Sequence, residues 1–322
     1  LITGLFAAPA GFPQIKEERE EKTFSSDKIQ KKDTEKKLSS SAALFFGFDS
    51  NPNFASLKKS DIFQEAVYFL RFILPLRKTF KFTLNYDLDV QNYDKFTDLS
   101  SVLNHLRLAF HKKINKFTVG TGFDLAVASY FHNDDGDYYF PKGFVYVRQA
   151  LTRKLYHQFL IEAGAKEHAT RQPLADTIST YQDKNLIDHR QSAEYLIGAS
   201  VTKKLSFKLR SRFTLNDSNA RYLDFYDTKS CQFTPSLAYQ LTNRLGLQAS
   251  YSFLRKAFKE RTTIAADKKQ KDDIHAATLG VLCKVTDNKF VSFSYAYRNN
   301  DSNEETEKYR ENVISCGWQY NF

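Results

Sequence analysis

From Ser40 to the last residue, apolar and polar side chains alternate with a period of two, in one segment after another. A strand turns successive side chains to opposite faces, so a chain patterned this way builds sheet with one greasy face and one wet face. Phe80, Phe82, Leu84, Tyr86, Leu88 and Val90 alternate with Thr79, Lys81, Thr83, Asn85, Asp87 and Asp89. Phe117, Val119, Phe123, Leu125, Val127 and Phe131 alternate with Thr118, Gly120, Gly122, Asp124, Ala126 and His132. Leu205, Phe207, Leu209, Phe213 and Leu215 repeat the arrangement against Lys208, Arg210, Arg212 and Asn216. These runs exceed the usual globular strand of about five or six residues. They meet the roughly 9 to 11 residues that a tilted membrane-spanning strand needs.

A second regularity lies between the runs. Short turns with a basic or amide pair are bracketed by apolar residues: LRKTF at 76–80, LTRKL at 151–155, VTKKL at 201–205, LTNRL at 241–245 and VTDNKF at 285–290, with HKKINKF at 111–117 as a looser copy. Turns of this length join antiparallel neighbours. Between them run longer polar connections at 133–143, 171–189, 265–273 and 299–308. Short turns alternating with long loops are the pattern of outer-membrane barrels, in which the turns are periplasmic and the loops extracellular. Strands are expected at 40–50, 62–76, 79–93, 101–111, 117–132, 143–152, 155–170, 190–202, 205–217, 228–241, 245–259, 274–286, 289–299 and 309–322. In the sixth of these, VYVRQAL leaves open which face is apolar. The expected fold is all-β, a transmembrane antiparallel up-and-down β-barrel of about 14 strands with both termini periplasmic.

Composition fits this reading. Phe 29 and Tyr 18 are rich for a water-soluble chain and suit strands with aromatic girdles. The mean hydropathy of −0.51 and the interruption of the longest apolar stretch, Ala66 to Leu76, by Arg71 and Pro75 argue against helical membrane spans. A net charge of +10 raises the question of nucleic acid, but no recognition motif gathers the basic residues, so no nucleic-acid partner is expected. Cys231, Cys283 and Cys316 fall in different strands with no CxxC spacing. Neither a disulfide framework nor a zinc site is indicated, and no cofactor or metal is expected. LITGLFAAPA, with Ala8-Pro9-Ala10 resembling a cleavage site, reads as the remnant of a signal peptide at 1–10. Residues 11–39 read as a charged, flexible periplasmic leader and 40–322 as the barrel.

The last strand is increasingly aromatic on one face, through Asn312, Ile314, Cys316, Trp318, Tyr320 and Phe322. Its end, SCGWQYNF, resembles the β-signal of Gram-negative outer-membrane barrel proteins: Ser315 as the polar residue, Gly317 two positions later, then aromatics at Tyr320 and Phe322. The resemblance implies recognition by the barrel assembly machinery through β-augmentation. It also implies outer-membrane lipid and lipopolysaccharide as surroundings. FFGFDSNPNF at 45–54 looks like the opening strand of several large barrel families, among them the barrel domain of surface lipoprotein assembly modifiers, whose tetratricopeptide domain this sequence lacks.

Side chains opposite the greasy face are expected to line the interior. The candidates are Arg71, Lys81, Asp87, Asp89, Arg107, Asp124, Glu162, Lys208, Arg210, Arg212 and Arg298, with His105, Lys166 and Glu194 beside them. Such a wall is wet and of both signs, and the trio Lys208, Arg210 and Arg212 would favour anionic solutes, unless these charges pair with neighbours and merely solvate the wall. The connection at 171–189 is long enough to fold inward, and equally suited to lie outside. No Ser/His or paired-carboxylate motif with specific spacing is found, so no catalytic residues are assigned. The favoured function is a porin-like channel for small hydrophilic solutes. The alternatives are an export or assembly barrel for polysaccharide or surface protein, and a plugged structural or adhesive barrel.

Overall fold

A computed structural model describes residues 37–54, 59–177, 179–222, 224–264 and 268–322. The expected signal remnant and nearly all of the expected leader lie outside the described residues. Fourteen strands follow one another: β1 (Lys37–Asp49), β2 (Asp61–Arg77), β3 (Phe80–Tyr93), β4 (Ser101–Ile114), β5 (Phe117–Tyr130), β6 (Tyr138–Ala150), β7 (Leu155–His168), β8 (Ile187–Ser200), β9 (Leu205–Ser218), β10 (Thr228–Gln240), β11 (Leu245–Thr262), β12 (Lys269–Lys284), β13 (Lys289–Ser302) and β14 (Tyr309–Asn321). Each pairs antiparallel with its sequence neighbours, and β1 pairs with β14 to close the barrel. Closure leaves no edge with unpaired backbone groups, which is the condition for putting sheet into hydrocarbon.

Register pairs share a face, and exposed apolar side chains mark the outer one. Leu44 pairs with Ala66 and Trp318, Phe123 with Leu108, Ile161 with Val145 and Ala193, and Phe293 with Val281 and Cys316. Leu44, Val145, Ile161 and Leu279 are each more than half exposed, a surface that water would not tolerate and lipid covers. The free thiols Cys231, Cys283 and Cys316 stand on this outer face. The sixth strand, ambiguous in sequence, turns Val145 and Val147 outward and Phe144, Tyr146 and Arg148 inward.

The recurrent turns have a shared cause. In three of them the threonine hydroxyl accepts two backbone amides: Thr152 those of Lys154 and Leu155, Thr202 those of Lys204 and Leu205, and Thr242 those of Arg244 and Leu245, at 3.0 to 3.2 Å. A hydroxyl satisfying the amides of the next two or three residues mimics a backbone turn, and this makes the threonine informative in each copy.

At the opposite end the strands outrun the expectation. The connection placed at 133–143 occupies only 131–137, because Tyr138 already pairs with His168. The connection placed at 265–273 gives way to strand at Lys269, and the one placed at 299–308 begins only after Ser302, where β13 ends. Polar residues continue these strands because each finds a hydrogen-bonded neighbour, such as Asp272 opposite Ser302. The fifth strand ends at Tyr130, short of Phe131 and His132.

Long connections lock one another along this rim. The buried carboxylate of Asp61 accepts the amides of Ile62, Lys95 and Phe96 at 2.8 to 2.9 Å. Glu304 accepts the amide of Ile264 at 2.7 Å, joining the β13–β14 connection to the β11–β12 connection. That backbone donor holds the Glu304 carboxyl below its ordinary value. Between β7 and β8 the chain folds on itself, with Leu174 bridging to Tyr181 and both Leu174 and Leu186 buried. Gln182 donates to the carbonyls of Leu174 and Asn219, so this connection leans on the one between β9 and β10.

Candidate functional site: the lumen wall

The inner face is built in two unlike arcs. Over the middle of β10 through β13 it carries small neutral groups, Ser230, Gln232, Thr234 and Ser236, then Ser250 and Ser252, Ala276 and Thr278, and Ser292 and Ser294, with the inward charges Lys256, Asp272, Lys284 and Arg298 toward the strand ends. Their hydroxyls and amides bond to one another, Gln232 donating to Ser252 at 2.9 Å and Thr234 to Ser252 at 3.1 Å. Farther round, Ser294 and Ser315 hydroxyls lie 2.6 Å apart.

From β3 through β9 the wall is a ladder of ion pairs. His105 sits between Asp87 and Asp124, its Nδ1 3.2 Å from the first and its Nε2 2.9 Å from the second. Asp124 also meets Arg107 at 3.7 Å and Lys142 at 3.3 Å, and Lys142 reaches Glu162 at 3.9 Å. Arg212 binds Glu162 and donates to Ser192 at 3.0 Å, while Arg210 meets Glu194 at 3.3 Å. Higher on the same strands, Asp188 accepts from Arg190 at 3.1 Å and Asn216 at 3.1 Å, with His168 at 3.4 Å. Apart from Arg190 and Asp188, which are both on β8, each link joins neighbouring strands or strands two apart, since alternate residues on successive strands point to one surface.

Under the ladder on β6 and β7 lies an aromatic layer capped by cations. The guanidinium of Arg107 stands 4.1 Å from the Phe144 ring, that of Arg148 3.7 Å from Tyr156, and the Lys166 ammonium 3.8 Å from Tyr138. Phe144, Leu160 and Ala109 are buried together as a small core inside the lumen, with Tyr146 against them. Cations over ring faces gain from the ring quadrupole while keeping one side toward water. Inward glycines admit these rings: a Cβ at Gly122 would overlap the Phe144 ring and the Leu108 carbonyl.

The expected interior residues occupy this wall as follows. Asp87, Arg107, Asp124, Glu162, Arg210 and Arg212 belong to the ladder. Arg71, Lys81 and Lys208 face inward nearer the tight turns, Lys81 in register with His111 and Lys208 with Gly198. Asp89 faces inward opposite Val67. Arg298 lies away from the ladder beside Glu311, at 3.7 Å, near the seam of β1 and β14. The trio Lys208, Arg210 and Arg212 therefore does not act as one basic patch, since Glu194 and Glu162 stand against its upper two members. Sequence reading missed the aromatic layer: Phe144 and Tyr146 alternate with Val145 and Val147, which are apolar too, so period two gave no contrast there. In the terminal strand Ser315 and Gly317 face inward and Tyr320 and Phe322 outward, with Tyr320 and Phe322 rings edge to face at 4.8 Å. Gly317 lies under the ring of Phe45 across the closing seam. Among the described residues, no group of His, Cys, Asp and Glu could hold a metal ion.

No family model and no curated protein matches this sequence. Solved structures do match in fold. An anion-selective porin from Comamonas acidovorans superposes with a TM-score of 0.54 at 9% identity, over 89% of this chain and 99% of that one. OmpT, an outer membrane protein of Vibrio cholerae, gives 0.51 at 10% identity over 89% and 97%. A structure described as the CymD monoaromatic hydrocarbon channel gives 0.50 at 10% identity, over 88% of both chains. At these identities the likeness is one of barrel architecture. The likeness of the opening strand to surface lipoprotein assembly modifiers gains no support from these matches.

Proposed function

We propose that this chain is a porin-like channel of the Gram-negative outer membrane, passing small hydrophilic solutes with no cofactor and no catalysis. The observation behind this reading is the lumen wall. An arc rich in serine, threonine and glutamine side chains at mid-height faces a charged ladder across the bore, so both sides offer hydrogen bonds to a hydrated solute. Fourteen strands lie between small barrels filled by their own side chains and the wide 16- to 18-stranded porins, which suits a modest bore. The porin and channel among the matched folds agree with this assignment. The tight turns are then periplasmic and the long connections extracellular, with lipopolysaccharide around the latter, and Ser315, Gly317, Tyr320 and Phe322 engage the barrel assembly machinery.

Conductance of the purified, folded chain in planar bilayers tests the reading. Stepwise conductance is expected, and its absence would overturn the channel. Arg210→Glu sets a second carboxylate against Glu194, and the expected result is a shift of ion preference toward cations, read as a changed reversal potential in a salt gradient.

A further inference from the structure

The inward charges are sorted along the barrel axis as well as around it. Asp87, Asp124, Glu162 and Glu194 mark one level on β3, β5, β7 and β8, about midway along their strands. On the tight-turn side of that level, the inward charged residues of β2 to β9 are Arg71, Lys81, Lys113, Arg148, Lys208 and Arg210, and among the described residues no inward strand carboxylate lies there. The turns extend the same sign with Arg153, Lys154, Lys203, Lys204 and Arg244, Asp287 in the β12–β13 turn being the exception. On the other side, Asp49, Asp61, Glu65, Asp89, Asp188, Asp272 and Glu311 accompany Lys166, Arg190, Lys256 and Arg298, and the described residues of the long connections are of both signs with carboxylates in excess, most densely at Asp134, Asp135 and Asp137 and at Glu304, Glu305 and Glu307. A field in a bore is set by the sum of its charges, whatever contacts each side chain makes, and low-dielectric walls focus it.

From this sorting, and resting on the channel reading above, we propose that the bore is axially polarised: its tight-turn half concentrates small anions, and the channel passes current unequally in the two directions. When the long-loop compartment is positive, anions are drawn into the bore from the basic half while cations enter from the other end. Carriers of both signs then accumulate, and the opposite voltage sweeps them out. The ion-pair ladder fixes the boundary between the halves, because it holds the carboxylates at one level and closes them with Arg107, Lys142 and Arg212.

Single-channel currents in symmetric 0.1 M KCl test the proposal, read one channel at a time so that mixed insertion cannot average the asymmetry. Currents at equal and opposite voltages are expected to differ by about 1.5-fold or more, with a reversal potential in a KCl gradient that favours chloride. The asymmetry is expected to shrink at 1 M, where the Debye length falls from about 10 Å to about 3 Å. The triple variant Lys81→Gln, Lys113→Gln, Lys208→Gln removes positive charge from the basic half while leaving the ladder intact. With barrel folding verified by unboiled gel mobility, it is expected to give nearly equal currents and a reduced chloride preference. Conducting channels with equal currents at 0.1 M would overturn axial polarisation and leave the porin reading standing. An asymmetry unchanged in the triple variant would overturn its assignment to the basic half. A chain that folds and never conducts would remove the porin reading itself, and with it this one.

Discussion

At the residue scale, the glycine of the terminal strand shows how a single hydrogen atom decides closure. Phe45 lies over Gly317 where β1 meets β14, and a Cβ at 317 would overlap that ring and approach the Leu44 carbonyl at 3.0 Å. Glycine without a side chain lets an aromatic from the next strand cover the gap, a pairing that pins register. Gly317→Val is therefore expected to lower the folded fraction after refolding into detergent, measured by gel mobility of unboiled samples. Combining Gly317→Ala with Phe45→Leu should recover much of that loss, and equal yields for Gly317→Val and the native chain would refute the account. The sequence pointed to Gly317 through its place in the C-terminal pattern, but not to its partner, since Phe45 belongs to the far end of the described chain.

At the scale of elements, strands and tight turns were legible because their causes are local. Period two fixes the face of each side chain, and a threonine hydroxyl closes the turn within three residues. Long connections were less legible, since their polar residues say nothing of how far a neighbouring strand will support pairing. Their order depends on contacts such as Glu304 to the Ile264 amide. The Glu304 carboxyl is held below its ordinary value of 4.5 by that donor. A depressed folded value means that the contact contributes in full above the unfolded value and is lost as pH falls through the folded one. Hydrogen exchange at the Ile264 amide is expected to be slower in the native chain than in Glu304→Gln near neutral pH. The difference should persist toward the ordinary carboxylate range and vanish only in stronger acid. A difference that disappears above about pH 5 would contradict the sign.

At the scale of the whole molecule, one continuous ladder of strands encloses the lumen, so unfolding must break the circle as a unit. Unboiled protein is expected to migrate as a compact species distinct from the boiled chain, and identical mobility would argue against a closed membrane barrel. Sequence by itself determined which segments are strands, which face of nearly every strand meets lipid and which charges turn inward, because strand stereochemistry sorts alternate residues before any long-range contact forms. Only the tertiary structure decided what those inward charges meet. Arg212 on β9 reaches Glu162 on β7, and His105 on β4 bridges Asp87 on β3 and Asp124 on β5, through registers set jointly by turns and barrel closure. A basic trio read from one strand thus became two arginines set against glutamates and a lysine nearer the tight turns. Charge on a sheet is a property of neighbouring strands together, and the neighbours exist only once the barrel is closed.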